Sequence, residues 1–269
     1  MTSRSVTSVD VEFRGADVAG RPVPVITGTV DLPGDARGLS PQEFREAGVP
    51  VALFAHCFTC NRQVPAAFRV SKTLARAGIA CLRFDFPDIM FSSNVADLQA
   101  AAAWLDARLA APSLLVGHSL GGAAALHAAG SIPSLSAVAT IGAPLRPASA
   151  ARSLQDACAA MRPGEVRTVH LAGRDVAVSH DFLSDLADAS AQDAAVAAVA
   201  GVGAPLLVLH SPTDQTVPVS EASRILDAAR WPKSMISLQD TDHLLTVRGS
   251  AQRAGETIAT WAAPHIGRA

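Results

Sequence analysis

Short, nearly unbroken apolar runs alternate with longer, small-residue stretches through most of this chain. The runs include Pro50-Val51-Ala52-Leu53-Phe54-Ala55, Ile79-Ala80-Cys81-Leu82-Arg83-Phe84, Leu114-Leu115-Val116, Val138-Ala139-Thr140-Ile141 and Pro205-Leu206-Leu207-Val208-Leu209-His210. Ser234-Met235-Ile236-Ser237-Leu238 reads as a further strand. A short apolar run between turn residues is the pattern of a strand covered on both faces, as in parallel sheets. Between the runs, Phe68 to Gly78, Val95 to Leu109 and Ser119 to Ala129 read as helices. Gly78 takes the place of a C′ residue, Asn94 that of an N-cap, and Asp97 favours the first turn after it. The alternation predicts an α/β fold: a mostly parallel central sheet with helices on both faces. The start differs. Val9-Asp10-Val11-Glu12-Phe13 and Val23 to Val30 alternate in polarity, which predicts an N-terminal antiparallel hairpin at the sheet edge. Asp31 to Pro50 reads as a connection.

The rhythm breaks at about 144–203. This stretch holds a helix (Ala148 to Met161), the strand-like run Val166 to Ala172, a turn at Gly173-Arg174-Asp175, the run Val176-Ala177-Val178 and a helix (Ser179 to Ala187). The chain is read as one domain, 1–269, with this stretch inserted as a small cap. Leu145, Phe182 and Leu183 are candidates to line an acyl pocket beneath it. Phe182 and Leu186, four residues apart, equally make the apolar stripe that packs a helix onto a sheet, and that packing role is the better supported.

The candidate chemistry sits where strand meets helix. Leu114-Leu115-Val116-Gly117-His118-Ser119-Leu120-Gly121-Gly122 places Ser119 at the apex of a G-x-S-x-G turn. Such a turn lifts a serine hydroxyl above the edge of a sheet, where a base can reach it. A hydroxyl needs that base to act as a nucleophile at neutral pH. Asp214 follows the run ending at His210, and His243 follows the last strand-like run. The order Ser119, Asp214, His243 is the one used by α/β-hydrolases. In that arrangement Ser119 attacks an acyl carbon, His243 shuttles the proton and Asp214 orients the imidazole. Asp242 is the rival acid, but neighbours in a loop usually point apart, so it is read as structural.

The developing oxyanion needs donors. The backbone N–H of Leu120, after the nucleophile, is one expectation. The second is the backbone N–H of Phe58, in the loop His56-Cys57-Phe58-Thr59-Cys60-Asn61 after an early strand. Cys57 stands where many such loops have glycine, which predicts an ordinary negative φ or local strain there. His56, Cys57 and Leu244 join the pocket candidates.

The runs His56-Cys57-Phe58-Thr59-Cys60, Leu82-Arg83-Phe84-Asp85-Phe86, Phe91-Ser92-Ser93-Asn94, Gly117 to Gly122, Thr140-Ile141-Gly142-Ala143-Pro144, Leu209 to Asp214, Pro232-Lys233-Ser234 and Asp242-His243-Leu244-Leu245 resemble one branch of the α/β-hydrolases. That branch occurs alone or fused to OsmC-like domains and is similar to bacterial serine esterases; the resemblance spans roughly residues 30 to 265. It departs after Phe86, where Pro87-Asp88-Ile89-Met90 replaces a longer glycine-rich loop. The shorter loop is expected to open the pocket. No OsmC-like domain is expected beyond Ala269, and with it no peroxidase activity.

Composition narrows the partners. Hydrophobic residues make up 49% of the chain, charged residues 17%, and the formal net charge is -2. No basic patch points to nucleic acid. Alanine-rich stretches such as Gln99 to Leu109 and Ala191 to Ala200 read as helices and fall short of the roughly twenty apolar residues of a membrane span. Without an evident signal peptide at Met1 to Val6, a cytoplasmic location is expected. Four cysteines, Cys57, Cys60, Cys81 and Cys158, are compatible with it. Cys81 reads as a buried apolar residue. Cys57 and Cys60 form a C-x-x-C without the thioredoxin-like context for redox catalysis, and no second ligand pair points to zinc. They read either as inert packing or as a redox control on the oxyanion loop. The reading is therefore a serine carboxylesterase for small to medium acyl esters, with neither metal nor organic cofactor. Thioesterase, lactonase or amidase chemistry on the same triad, and a non-catalytic hydrolase-fold binding protein, are the alternatives.

Overall fold

The computed structural model describes residues 5–18, 22–57, 60–150, 161–171, 174–187 and 189–267. Its central sheet has the strand order β1-β2-β4-β3-β5-β6-β9-β10. Strands β1 (Val6–Arg14) and β2 (Val25–Pro33) form the antiparallel start, with Val9 opposite Val30. β2 also pairs antiparallel with β4 (Ala80–Phe84), and β3 (Val51–Ala55) lies parallel to β4. From there β5 (Leu114–His118), β6 (Ala137–Ile141), β9 (Leu206–His210) and β10 (Lys233–Ser237) continue in parallel. A separate antiparallel pair, β7 (Val166–Leu171) and β8 (Arg174–Ser179), belongs to the inserted stretch.

Every residue of β3, β4, β5, β6 and β9 is buried, which is why these strands are written as apolar runs and not as alternations. Leu53, Leu115, Val138 and Val208 pack on one face, under α3 (Phe91–Arg108), α4 (Leu120–Ala129) and α8 (Ser220–Ala228). Phe54, Val116, Leu207 and Leu209 pack on the other, under α2 (Pro65–Arg76) and α9 (Ser250–Ile266). Full burial of one such side chain stabilises the fold by about 1.5 to 3 kcal/mol. In the insertion, α6 (His180–Ala187) and α7 (Ala189–Gly201) pack against each other, and Phe182 and Leu186 join the first core.

Two boundaries depart from the sequence reading. The connection after β2 holds a helix, α1 (Pro41–Glu46), closed by a capping box between Ser40 and Glu43. Helix α3 begins at Phe91, so Asn94 lies inside it and is not the N-cap. Its first N–H groups, of Phe91 and Ser92, donate to Asp185 Oδ2 of α6 at 2.5 and 3.2 Å. Asp97 is buried and accepts the Ala16 N–H at 3.0 Å instead of serving a first turn. The helix expected over Ala148 to Met161 lies mostly outside the described residues; Pro147–Ala150 is helical (α5). Among the described residues, no helix is long and apolar enough to cross a membrane.

Candidate active site

The C-terminal ends of β3, β5, β6 and β9 meet at one edge of the sheet, where ligands bind in open α/β sheets. Ser119 follows β5 directly, with φ 55 and ψ -126. A serine with positive φ is strained, and a turn this tight needs small neighbours. A Cβ on Gly117 would come within 2.5 Å of the Gly121 carbonyl oxygen, and one on Gly121 within 2.1 Å of the His56 carbonyl oxygen. The Ser119 N–H donates to the Ile141 carbonyl at 2.9 Å, which ties the turn to β6.

Ser119, His243 and Asp214 come together there. The Ser119 hydroxyl donates to His243 Nε2 at 2.9 Å, and His243 Nδ1–H donates to Asp214 Oδ2 at 2.7 Å. The other Asp214 oxygen accepts the N–H groups of Thr216 and Val217 at 2.8 and 2.9 Å. Burial alone would raise the Asp214 carboxyl. The hydrogen bond and charge of His243 and the two backbone donors outweigh it and hold the group below its ordinary 3.8. Asp214 is therefore an anion facing the imidazole. Asp242 spends its carboxylate on its own turn, accepting from Thr246 N–H, Thr246 Oγ and Val247 N–H.

Leu120 opens α4, and the first N–H groups of a helix have no carbonyl behind them within it. Its N–H thus has no acceptor within the helix and lies next to Ser119 in the chain. Phe58, expected to give the second donor, lies outside the described residues. Cys57 is not among the residues with positive φ, in line with the ordinary backbone expected of a cysteine there.

The two cysteines of the C-x-x-C are not a pair of free thiols: Cys57 and Cys60 form a disulfide across this loop. Their spacing of three residues allows the closure, with Cα atoms 5.4 Å apart. Cys81 is a buried thiol, pushed up to about 12 mainly by that burial.

The pocket candidates separate. Phe182 is fully buried in the core and offers no surface to a ligand, the packing role already favoured for it. Leu183 packs partly buried beside it. Leu145 is buried, and its N–H donates to Glu221 Oε2 at 3.0 Å. His56 is buried with both ring nitrogens engaged. Leu244 lines a cleft of about 440 Å³ between the loops of Asp214 and His243, with Thr213, Gln215, Thr216, Asp240 and Asp242. The sequence reading passed over His118 and His210, which are buried at the ends of β5 and β9; a histidine closing an apolar strand was the available signal. Among the described residues no group of three His, Cys, Asp or Glu side chains is arranged to hold a metal.

The sequence profile of the alpha/beta hydrolase family matches residues 52–256. Among solved structures, the esterase domain of a Rhodothermus marinus protein is 36% identical over 98% of this chain and 100% of that one, with a TM-score of 0.73. Dienelactone hydrolase from Anabaena variabilis is 19% identical over 95% of this chain and 98% of that one (TM-score 0.62). Est1E from Butyrivibrio proteoclasticus is 17% identical over the same shares, 95% and 98% (TM-score 0.72). The last two show likeness of fold alone. None of the curated proteins matches the chain.

Proposed function

This chain belongs to the alpha/beta hydrolase family and is a hydrolase, and on that premise we propose that it is a serine carboxylesterase for small to medium acyl esters. The observation that carries the reading is the hydrogen-bonded line from Ser119 Oγ through His243 to the Asp214 carboxylate. Ser119 Oγ attacks the acyl carbon as His243 Nε2 takes its proton, and the carbonyl oxygen becomes an oxyanion. The Leu120 N–H stabilises that charge, with the Phe58 N–H as the second donor expected from the sequence. The tetrahedral intermediate collapses, the C–O bond breaks and His243 returns the proton to the leaving alcohol. A water, deprotonated by His243, then attacks the acyl-enzyme and releases the acid and Ser119. Asp214 holds the Nδ1–H tautomer and offsets the imidazolium charge in both halves.

Two further observations support the ester assignment. The Rhodothermus relative is an esterase domain at 36% identity. The inserted stretch contributes a short hairpin and helices that pack into the main core, in keeping with a modest cap over a modest acyl group.

Hydrolysis of p-nitrophenyl esters from acetate to palmitate, by wild type and Ser119→Ala, tests the reading. The expected result is an optimum at the shorter chains and a loss on the order of 1,000-fold or more in the variant. No turnover of any ester by wild type, with turnover of thioesters, lactones or amides, would move the activity to those substrates. Full activity in Ser119→Ala would overturn the mechanism.

A further inference from the structure

Three strands of the sheet end in a buried histidine: His56 directly follows β3, His118 closes β5 and His210 closes β9. Burying an imidazole costs stability unless it is hydrogen-bonded. Each of the three reaches the main chain of a loop bearing a site residue. His118 Nε2 lies 2.8 Å from the carbonyl oxygen of His243 itself. His210 Nε2 lies 2.9 Å from the carbonyl oxygen of Val217, at the end of the turn that holds Asp214. His56 Nδ1 lies 2.8 Å from the carbonyl oxygen of Cys57, in the loop expected to complete the oxyanion site.

A carbonyl oxygen only accepts, so in each case the facing ring nitrogen carries the proton and donates it. At His56 the remaining lone pair accepts the Phe86 N–H at 3.2 Å, which clamps the loop after β3 to the loop after β4. At His118 and His210 the remaining nitrogen, Nδ1, is buried without a hydrogen-bond partner. At His118, protonating it would strand a buried N–H, so that ring stays neutral. Burial, together with the nearby His243, pushes the His118 imidazole down to about 3, so its donor is unchanged wherever the enzyme would work.

We propose that these histidines are positioning residues: each imidazole fixes one loop of the site to the rigid end of its own strand. The inference rests on the reading of Ser119, His243 and Asp214 as the reacting groups. His118 is the sharpest case. It immediately precedes Ser119, so two consecutive residues carry the nucleophile and hold the backbone of its base. The His118 and His243 rings also pack 5.3 Å apart, tilted by 38°. His56 acts on the loop after β3.

The test exchanges donors by position. A glutamine amide reaches about where imidazole Nε2 lies, and an asparagine amide about where Nδ1 lies. His118→Gln therefore keeps the donor, while His118→Leu and His118→Asn remove it. His56→Asn keeps its donor and His56→Gln removes it. The readouts are kcat and KM on p-nitrophenyl acetate, thermal unfolding, and the downfield proton resonance of His243 Nδ1–H bonded to Asp214. A misplacement of about 1 Å costs on the order of 100-fold. His118→Leu and His118→Asn should therefore lose about 10- to 100-fold in kcat with KM nearly unchanged, and their downfield resonance should broaden or move upfield. His118→Gln should restore both to within about threefold and the wild-type position. At residue 56 the order of Asn and Gln should reverse. Equal losses in Gln, Asn and Leu that follow only the melting temperature would overturn the proposal, as would a wild-type kcat and resonance in His118→Leu. If wild type hydrolyses no substrate, the esterase reading fails, and the resonance series still decides whether His118 positions His243.

Discussion

Arg83 Nε and Asp31 Oδ2 lie 2.9 Å apart with their side chains 2% and 0% exposed. This buried pair joins β4 to β2, and Asp31 also accepts from Ser71 Oγ at 2.6 Å and from Ser8 Oγ. Lys72 Nζ approaches its other oxygen at 3.2 Å. Arg83 in turn donates to the Arg62 carbonyl at 2.7 Å, and Arg62 pairs with Asp85. The network thus runs from the antiparallel start of the sheet to Arg62, just after the proposed oxyanion loop, and to Asp85, just after β4.

Asp31→Asn leaves Arg83 buried without its counter-ion and should destabilise the fold by roughly 3 to 5 kcal/mol, read by urea unfolding at neutral pH. Burial alone would raise the Asp31 carboxyl. The hydrogen bonds of Arg83, Ser71 and Ser8 and the Arg83 charge outweigh it and hold the group below its ordinary 3.8. A carboxyl lowered in the fold stabilises fully above its unfolded value and loses that contribution as pH falls through the folded one. Wild type should therefore lose stability below about pH 4, and the difference between wild type and Asp31→Asn should narrow over the same range.

The two neighbouring acids should separate cleanly in kinetics. Asp214→Asn keeps the shape but loses the charge that orients His243, and kcat should fall on the order of 10,000-fold. Asp242→Asn alters a turn and should change kcat by no more than about threefold. The reverse ranking would make Asp242 the acid.

Gly142 packs against the Asp–His pair with φ 55; a Cβ there would sit 3.3 Å from Asp214 Oδ2 and 3.5 Å from His243 Nδ1. Gly142→Ala should combine backbone strain of about 1 kcal/mol or more with displacement of that pair. The expected outcome is a modest fall in melting temperature and a disproportionate fall in kcat, at least about tenfold. Equal activity of the two proteins would show that the pair tolerates the methyl group.

Asp185 anchors the inserted stretch by accepting the first N–H groups of α3. Asp185→Ala removes a charged cap worth about 1 to 2 kcal/mol. Limited proteolysis should then cut the 180–201 segment faster than in wild type. An unchanged cleavage rate would show that Phe182 and Leu186 hold the segment unaided.

Much of this was legible in the residues. The strands of a doubly covered sheet are written as apolar runs, and Leu53, Leu115 and Val208 fall where those runs place them. Ser119, Asp214 and His243 were singled out from a turn motif and chain order, and they meet in space. What escaped notice depends on distant or weak signals. The start of α3 is capped by Asp185 from more than ninety residues away, so Asn94 looked like the cap. Helix α9 buries mainly small residues, among them Ala251, Ala254 and Ala262, which give little apolar contrast. Helix α1 was readable from Ser40 and Glu43, a capping box inside a segment taken as a connection. The disulfide of Cys57 and Cys60 depends on how the loop closes, which spacing alone permits but does not decide.

The most direct measurement is to quench the protein with acid during turnover of p-nitrophenyl acetate and locate the trapped acyl group by peptide mass spectrometry. The account predicts one acetyl group on the peptide containing Ser119, absent from Ser119→Ala and retained longer in His243→Ala. An acetyl group on another residue, or turnover without any acyl-enzyme in a protein whose Ser119→Ala variant remains active, would contradict it.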